Sequence, residues 1–175
     1  MVKNDFVQTP QYVTEALLER ESFEGGILEP CCGAGAISKV LLASGYSVTS
    51  LDKNDYGYGS QRDLFTINEP FDNVVTNPPF TQVAPVCRHL LNVYQKKMAL
   101  FFYVKNIGTF LESNTSKELK TVYILNQKID WVETKLGWKF AWYIWEKGYE
   151  GDVTIHRIER GLTSLAADGA TRAEN

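Results

Sequence analysis

Leu28-Glu29-Pro30-Cys31-Cys32-Gly33-Ala34-Gly35-Ala36-Ile37 is the most informative segment of this chain. The apolar pair Ile27-Leu28 leads into an acid, a turn with two glycines, and then Ile37, Val40, Leu41 and Leu42 at helical spacing. The pattern predicts a strand, a tight turn and the start of a helix. Glycines in such a turn let the backbone approach a ligand closely. Ser38 stands where a dinucleotide fingerprint has its third glycine, which argues against a nicotinamide cofactor. Glu29, beside the turn, would repel a pyrophosphate and suits a cationic ligand.

Upstream, Thr9-Pro10 before Val13, Ala16 and Leu17 reads as a helix start, with Thr9 as cap and Pro10 at the first helical position. Gly25-Gly26 breaks the chain before the first strand. Ser47 to Leu51 is a second strand ending in Asp52, and Lys53 to Ser60 reads as loop. Asn73 to Thr76 is a third strand, stopped by Asn77-Pro78-Pro79. Val83, Val86, Cys87, Leu90, Leu91 and Tyr94 recur as one face of a helix. Met98 to Val104 is an unbroken apolar run, as in a strand covered on both faces. Ile107 to Thr121 predicts a loop with a helical turn. Thr121 to Leu125 and Lys139 to Trp145 read as two late strands. Strands alternating with helices specify an α/β protein, an open and mostly parallel sheet with helices on both faces, ending in an antiparallel hairpin. Ligands of such sheets sit beyond the carboxyl ends of the strands. Glu29, Asp52 and Asn77 all fall at such ends.

The 175 residues, 44% hydrophobic and 22% charged, suit one domain, expected over residues 1–160, with a small, polar and disordered tail over 161–175. No apolar run reaches the length of a membrane span and Met1 to Asp5 carries no hydrophobic signal core, so neither membrane nor secretion is expected. Three cysteines, two of them adjacent, form no disulfide framework and no metal-ligand spacing, which points to a reducing cytoplasm. The net charge of −3 is unevenly spread. Residues 1–80 hold 5 Lys/Arg against 11 Asp/Glu, and residues 81–160 hold 12 against 8. The basic half can meet phosphate locally.

Two constellations carry chemistry. Asp52 lies 23 residues beyond Glu29, where an acid grips ribose hydroxyls in nucleoside-binding sheets. Asn77-Pro78-Pro79-Phe80 combines a side-chain acceptor, prolines that have carbonyls but no N–H, and a flat aromatic face. A planar amine giving one hydrogen to the Asn77 oxygen and one to the Pro78 carbonyl, stacked on Phe80, would keep its lone pair free to attack an electrophile.

With these residues in place, the chain resembles a class I S-adenosylmethionine-dependent methyltransferase, specifically a small phage-type N6-adenine DNA methyltransferase. The resemblance spans residues 6 to about 158, with the cofactor loop ahead of the N-P-P-F motif. It implies a Rossmann-like, seven-stranded sheet and S-adenosylmethionine as cofactor. It assigns Thr9 and Pro10 to the methionine end of that cofactor, Glu29, Pro30, Gly33 and Gly35 to the loop around it, and Asp52 to its ribose. Asp63 and Leu64 fall to its adenine, Asn77 to both cofactor and catalysis, and Pro78, Pro79 and Phe80 to catalysis. No metal is implied. DNA is the implied partner, with residues 105–147 as its surface and the Ile107–Lys120 segment, including Lys117, as its obvious insertion. An RNA adenine, a glutamine side chain and a non-catalytic cofactor-binding subunit remain open alternatives. Cys31 and Cys32 are read as packing, as are most of Trp131, Trp138, Trp142 and Trp145, one or two of which could line a base pocket.

Overall fold

The computed structural model describes residues 8–111, 115–126 and 139–159; the expected tail, Trp131 and Trp138 lie outside them. The chain runs α1 (Gln11–Leu18), β1 (Ile27–Glu29), α2 (Ala36–Ala43), β2 (Val48–Asp52), β3 (Ser60–Gln61), β4 (Phe71–Thr76), α3 (Val83–Leu90), β5 (Tyr94–Tyr103), α4 (Ile107–Leu111), β6 (Leu119–Leu125), β7 (Phe140–Glu146) and β8 (Thr154–Ile158). Among the described residues the strands form one sheet of eight in the order β3-β2-β1-β4-β5-β7-β6-β8. In that sheet β7 alone runs against the rest: it pairs antiparallel with β5 and β6, while β8 lies parallel to β6. No helix among the described residues is long and apolar enough to cross a membrane.

Alternation along the strands builds two cores, one on each face. Met98, Leu100 and Phe102 of β5 join Leu28, Val74, Val86, Leu90, Tyr143 and Trp145 on one side. Ala99 and Phe101 join Val13, Leu17, Ile27, Ile37, Val75 and Trp142 on the other. Burying each large side chain contributes roughly 1.5–3 kcal/mol, so the central strands anchor the sheet. The late tryptophans that are described belong here: Trp142 Nε1 donates to the Val13 carbonyl at 2.9 Å and Trp145 Nε1 to the Thr115 carbonyl at 2.7 Å. Both are fully buried.

Several boundaries differ from expectation for physical reasons. The predicted helix through Tyr94 stops at Leu90, and Tyr94 instead opens β5, opposite Phe71. The start of β5 is hidden in the sequence by Lys96 and Lys97, whose ammonium groups are paired with Asp72 and Glu24, and with Glu21, respectively. β3 is a two-residue strand at the end of the loop over residues 53–60, and β8 is an edge strand with four of its five residues exposed. Neither carries an apolar pattern that would announce it. The late hairpin is present, but β7 inserts between β5 and β6, and β8 adds an eighth strand beyond them. Pro10, not Thr9, caps α1, and no side chain bonds to that helix start. The Thr9 hydroxyl is used elsewhere.

Candidate functional site

The carboxyl ends of β1, β2 and β4 surround one cavity of about 400 Å³. Parallel strands leave their last residues side by side at that edge, which is why Glu29, Asp52 and Asn77, far apart in sequence, come together.

Asp52 organises the rim. Its Oδ2 accepts the Gly33 N–H and its Oδ1 the Asn54 N–H, both at 2.9 Å. One carboxylate thus ties the turn after β1 to the loop after β2, and each oxygen keeps a lone pair for a ligand hydroxyl. Gly33 and Gly35 both take positive φ, 51° and 81°. Gly33 lines the cavity through its backbone. Gly35 does not reach it: a Cβ there would meet the Tyr58 ring at 2.5 Å, so this glycine makes room for a tyrosine rather than for a ligand. Pro10 likewise stands outside the lining, while Thr9, Pro30, Asp63, Leu64 and the whole of Asn77 to Phe80 are part of it.

Glu29 is buried at the cavity floor. Ser38 Oγ donates to it, and Ser38 in turn lies 2.6 Å from the Ser50 hydroxyl. Burial pushes the Glu29 carboxyl up to about 8, against the Ser38 hydrogen bonds that lower it. Ser38, visible in the sequence only as a missing glycine, is the residue that orients this acid. Asp63 starts a 3-10 turn over Leu64–Thr66, accepting the Phe65 N–H at 3.0 Å, with Lys53 Nζ at 3.1 Å. The Phe65 N–H is the largest influence holding its carboxyl below the usual range, with Lys53 acting in the same direction. Burial raises Cys31 far above the ordinary thiol value and Cys32 to about 12, so neither is a thiolate at neutral pH.

Asn77 is the decisive residue. Its Nδ2 donates to Thr9 Oγ1 at 2.9 Å, while its Oδ1 is buried without a hydrogen-bond partner among the described residues. Pro78 is buried beside it. Phe80 leans on Tyr103 and Phe140, with ring centroids 4.7 and 5.6 Å apart, so one part of its ring is committed to an aromatic cluster at the ends of β5 and β7. Tyr56 and Phe65 also line the cavity, and Phe65 stays 40% exposed against the edge of His89. Neither is expected from the motifs. For Tyr56 the only signal is an aromatic inside a Gly- and Asn-rich loop, and for Phe65 its place directly after Asp63-Leu64.

No family model and no curated protein matches the sequence. Solved structures do match. A predicted O-methyltransferase from Agrobacterium tumefaciens aligns over 95% of this chain and 98% of its own, with a TM-score of 0.62 at 13% identity. A TehB-like SAM-dependent methyltransferase from Corynebacterium glutamicum aligns over 78% and 87%, TM-score 0.55, at 17% identity. The chain has the class I methyltransferase fold. The same fold recurs in the E. cuniculi Mtq2-Trm112 complex responsible for methylation of the eRF1 termination factor, over 82% of this chain and 99% of that one, TM-score 0.57, at 17% identity. Against this fold, the lysines expected at the partner surface divide. Lys105 and Lys139 stand beside the Tyr103–Phe140 pair at the cavity end. Lys120 and Lys147 lie at the opposite end of the sheet, engaged with Glu146 and Glu118, and Lys117 precedes β6 at that same end. Within the expected partner surface, strand direction sets Lys117 and Lys120 apart from the cavity: β6 begins where β7 ends, away from Asn77.

Proposed function

We propose that this chain is an enzyme that methylates the N6 amine of adenine in DNA, with S-adenosylmethionine as donor. The observation that carries this reading is that Asn77, Pro78, Pro79 and Phe80 all line an acidic cavity, with the buried Oδ1 of Asn77 unpartnered among the described residues. A buried amide oxygen left without a donor costs about 1–3 kcal/mol, a cost that a donor from a bound amine removes.

The lining fits that cofactor. Glu29, Asp52 and Asp63 face the cavity, with Lys53 as the single Lys or Arg among the described residues of its lining. That balance favours a cationic ligand and disfavours a phosphorylated one. When bound, S-adenosylmethionine supplies a methyl group made electrophilic by its sulfonium. Glu29 would hold the cationic end, Asp52 the ribose hydroxyls, and Asp63 and Leu64 the adenine edge. Asn77 Oδ1 and the Pro78 carbonyl accept the two hydrogens of the target amine, and the proline ring leaves no N–H to compete. Held so, the amine presents its lone pair outward, and positioning suffices without a covalent intermediate. A duplex target must be flipped out, at a cost of a few kcal/mol offset by the pocket. Lys105 and Lys139 are the candidate phosphate contacts.

The second reading, methylation of a side-chain amide in a protein, draws on the likeness to the Mtq2-Trm112 structure and on the same chemistry, since a glutamine amide is also planar. Incorporation of labelled methyl into DNA, RNA and glutamine-bearing protein, with Asn77→Ala as control, tests both. DNA labelling that disappears in the variant supports the first; labelling of RNA or protein alone rejects it.

A further inference from the structure

We infer that Thr9 is a positioning residue for Asn77, acting on the orientation of its amide rather than on the cofactor. The side-chain amide of asparagine has nearly the same shape either way round, but turning it exchanges an acceptor for a donor. If Nδ2 faced the cavity, it would meet the hydrogens of an incoming amine with hydrogens of its own. Thr9 Oγ1 receives Nδ2 at 2.9 Å across 68 residues of sequence, and Oδ1 is left as the buried amide atom without a partner among the described residues.

Thr9 is suited to this task because its own place is fixed. It is 5% exposed and immediately precedes Pro10, the cap of α1. The helix is held in turn by Val13, Ala16 and Leu17 in the core and by the bond from Trp142 Nε1 to the Val13 carbonyl. A threonine at the N-cap ordinarily closes the helix start with its hydroxyl, but Pro10 holds that position and Thr9 lies one residue before it. Here no side-chain cap is made, and the hydroxyl serves Asn77 instead. Packing of α1 against β7 is thereby transmitted to one amide.

The inference deepens the proposed function and rests on it for the nature of the acceptor. The test therefore has one arm that needs no turnover. In the whole protein labelled at asparagine with ¹⁵N, hydrogen exchange of the Asn77 side-chain amide should speed up at least tenfold in Thr9→Val and stay within threefold in Thr9→Ser, which keeps the hydroxyl. In the second arm, Thr9→Val should lower kcat for methyl transfer at least tenfold with cofactor Kd within threefold, and Thr9→Ser should restore kcat to within threefold. Unchanged amide exchange in Thr9→Val overturns the inference. So does a loss confined to cofactor Kd, or an equal loss of kcat in both variants. If the wild type transfers methyl to no amine, the functional reading falls, and the exchange arm alone decides whether Thr9 holds Asn77.

Discussion

The two ends of the sheet treat their polar groups in opposite ways. At the amino ends of the parallel strands, charges are matched within the protein: Lys97 with Glu21 at 2.6 Å, Lys120 with Glu146 at 2.8 Å, Lys147 with Glu118 at 3.4 Å. Tyr123 and Tyr94 add their hydroxyls to Glu21 and Glu118 at 2.8 and 2.6 Å. At the carboxyl ends, among the described residues, Glu29 is met by Ser38, Asp52 by backbone N–H groups, and Asn77 keeps a buried oxygen unpartnered. At the amino end the charges are met by the protein's own side chains, although Asn73 Oδ1 there is also buried without a partner among the described residues. The other holds polar groups that a ligand can still satisfy, which is how a site differs from a support.

The contrast is most open to refutation at Asn77. Asn77→Ala should abolish methyl transfer while cofactor affinity stays within a few-fold. Retention of more than about a tenth of kcat means the amide supplies less than about 1.4 kcal/mol to the transition state, and the role assigned to it is wrong. Next is Asp52→Ala, for which calorimetry should show S-adenosylmethionine bound at least tenfold more weakly, about 1.4 kcal/mol. An unchanged Kd would reduce Asp52 to a fastener of two loops.

Glu29 tests the electrostatics. Its carboxyl sits at about 8 in the folded chain against an ordinary 4.5, so the folded state binds the extra proton between those values. Its contribution to stability is complete below pH 4.5 and is lost as pH rises through 8, the sign required when the native state holds more protons. A cationic ligand favours the carboxylate, so binding should release a proton and tighten toward pH 8, by up to about tenfold per unit. Glu29→Gln should flatten both profiles, by calorimetry for affinity and by thermal melts for stability; a profile identical to wild type would remove Glu29 from the site.

The smallest effects separate the lysines. Lys105→Ala with Lys139→Ala should lower the slope of log K for DNA against log salt by roughly 0.9 for each phosphate no longer neutralised. Lys120→Ala should leave that slope alone and cost only about 0.2–1 kcal/mol of stability, as for an exposed ion pair. The reverse pattern would place the partner at the other end of the molecule.

Much of this molecule is legible from its residues alone, and the legible parts share a cause. β1, β4, α2 and α3 are declared by local apolar period, and Glu29, Asp52 and Asn77 by their place at strand ends. What is illegible depends on partners distant in sequence. Lys96 and Lys97 hide the start of β5 because their counter-ions come from residues 21, 24 and 72. Gly35 reads as ligand space, yet its missing side chain is filled by Tyr58. Ser38 reads as a lost glycine, yet it orients the buried acid.

Preferences acting over a few neighbours are enough to make this an α/β chain with acids at two strand ends and the Asn-Pro-Pro-Phe tetrapeptide at a third. They do not settle which way the Asn77 amide faces, or which lysines share its end of the sheet. Those follow from the direction in which β6 and β7 enter the sheet and from where α1 packs, set by contacts between residues as far apart as Val13 and Trp142. Such contacts form only once the whole sheet is assembled, and no local preference carries that information.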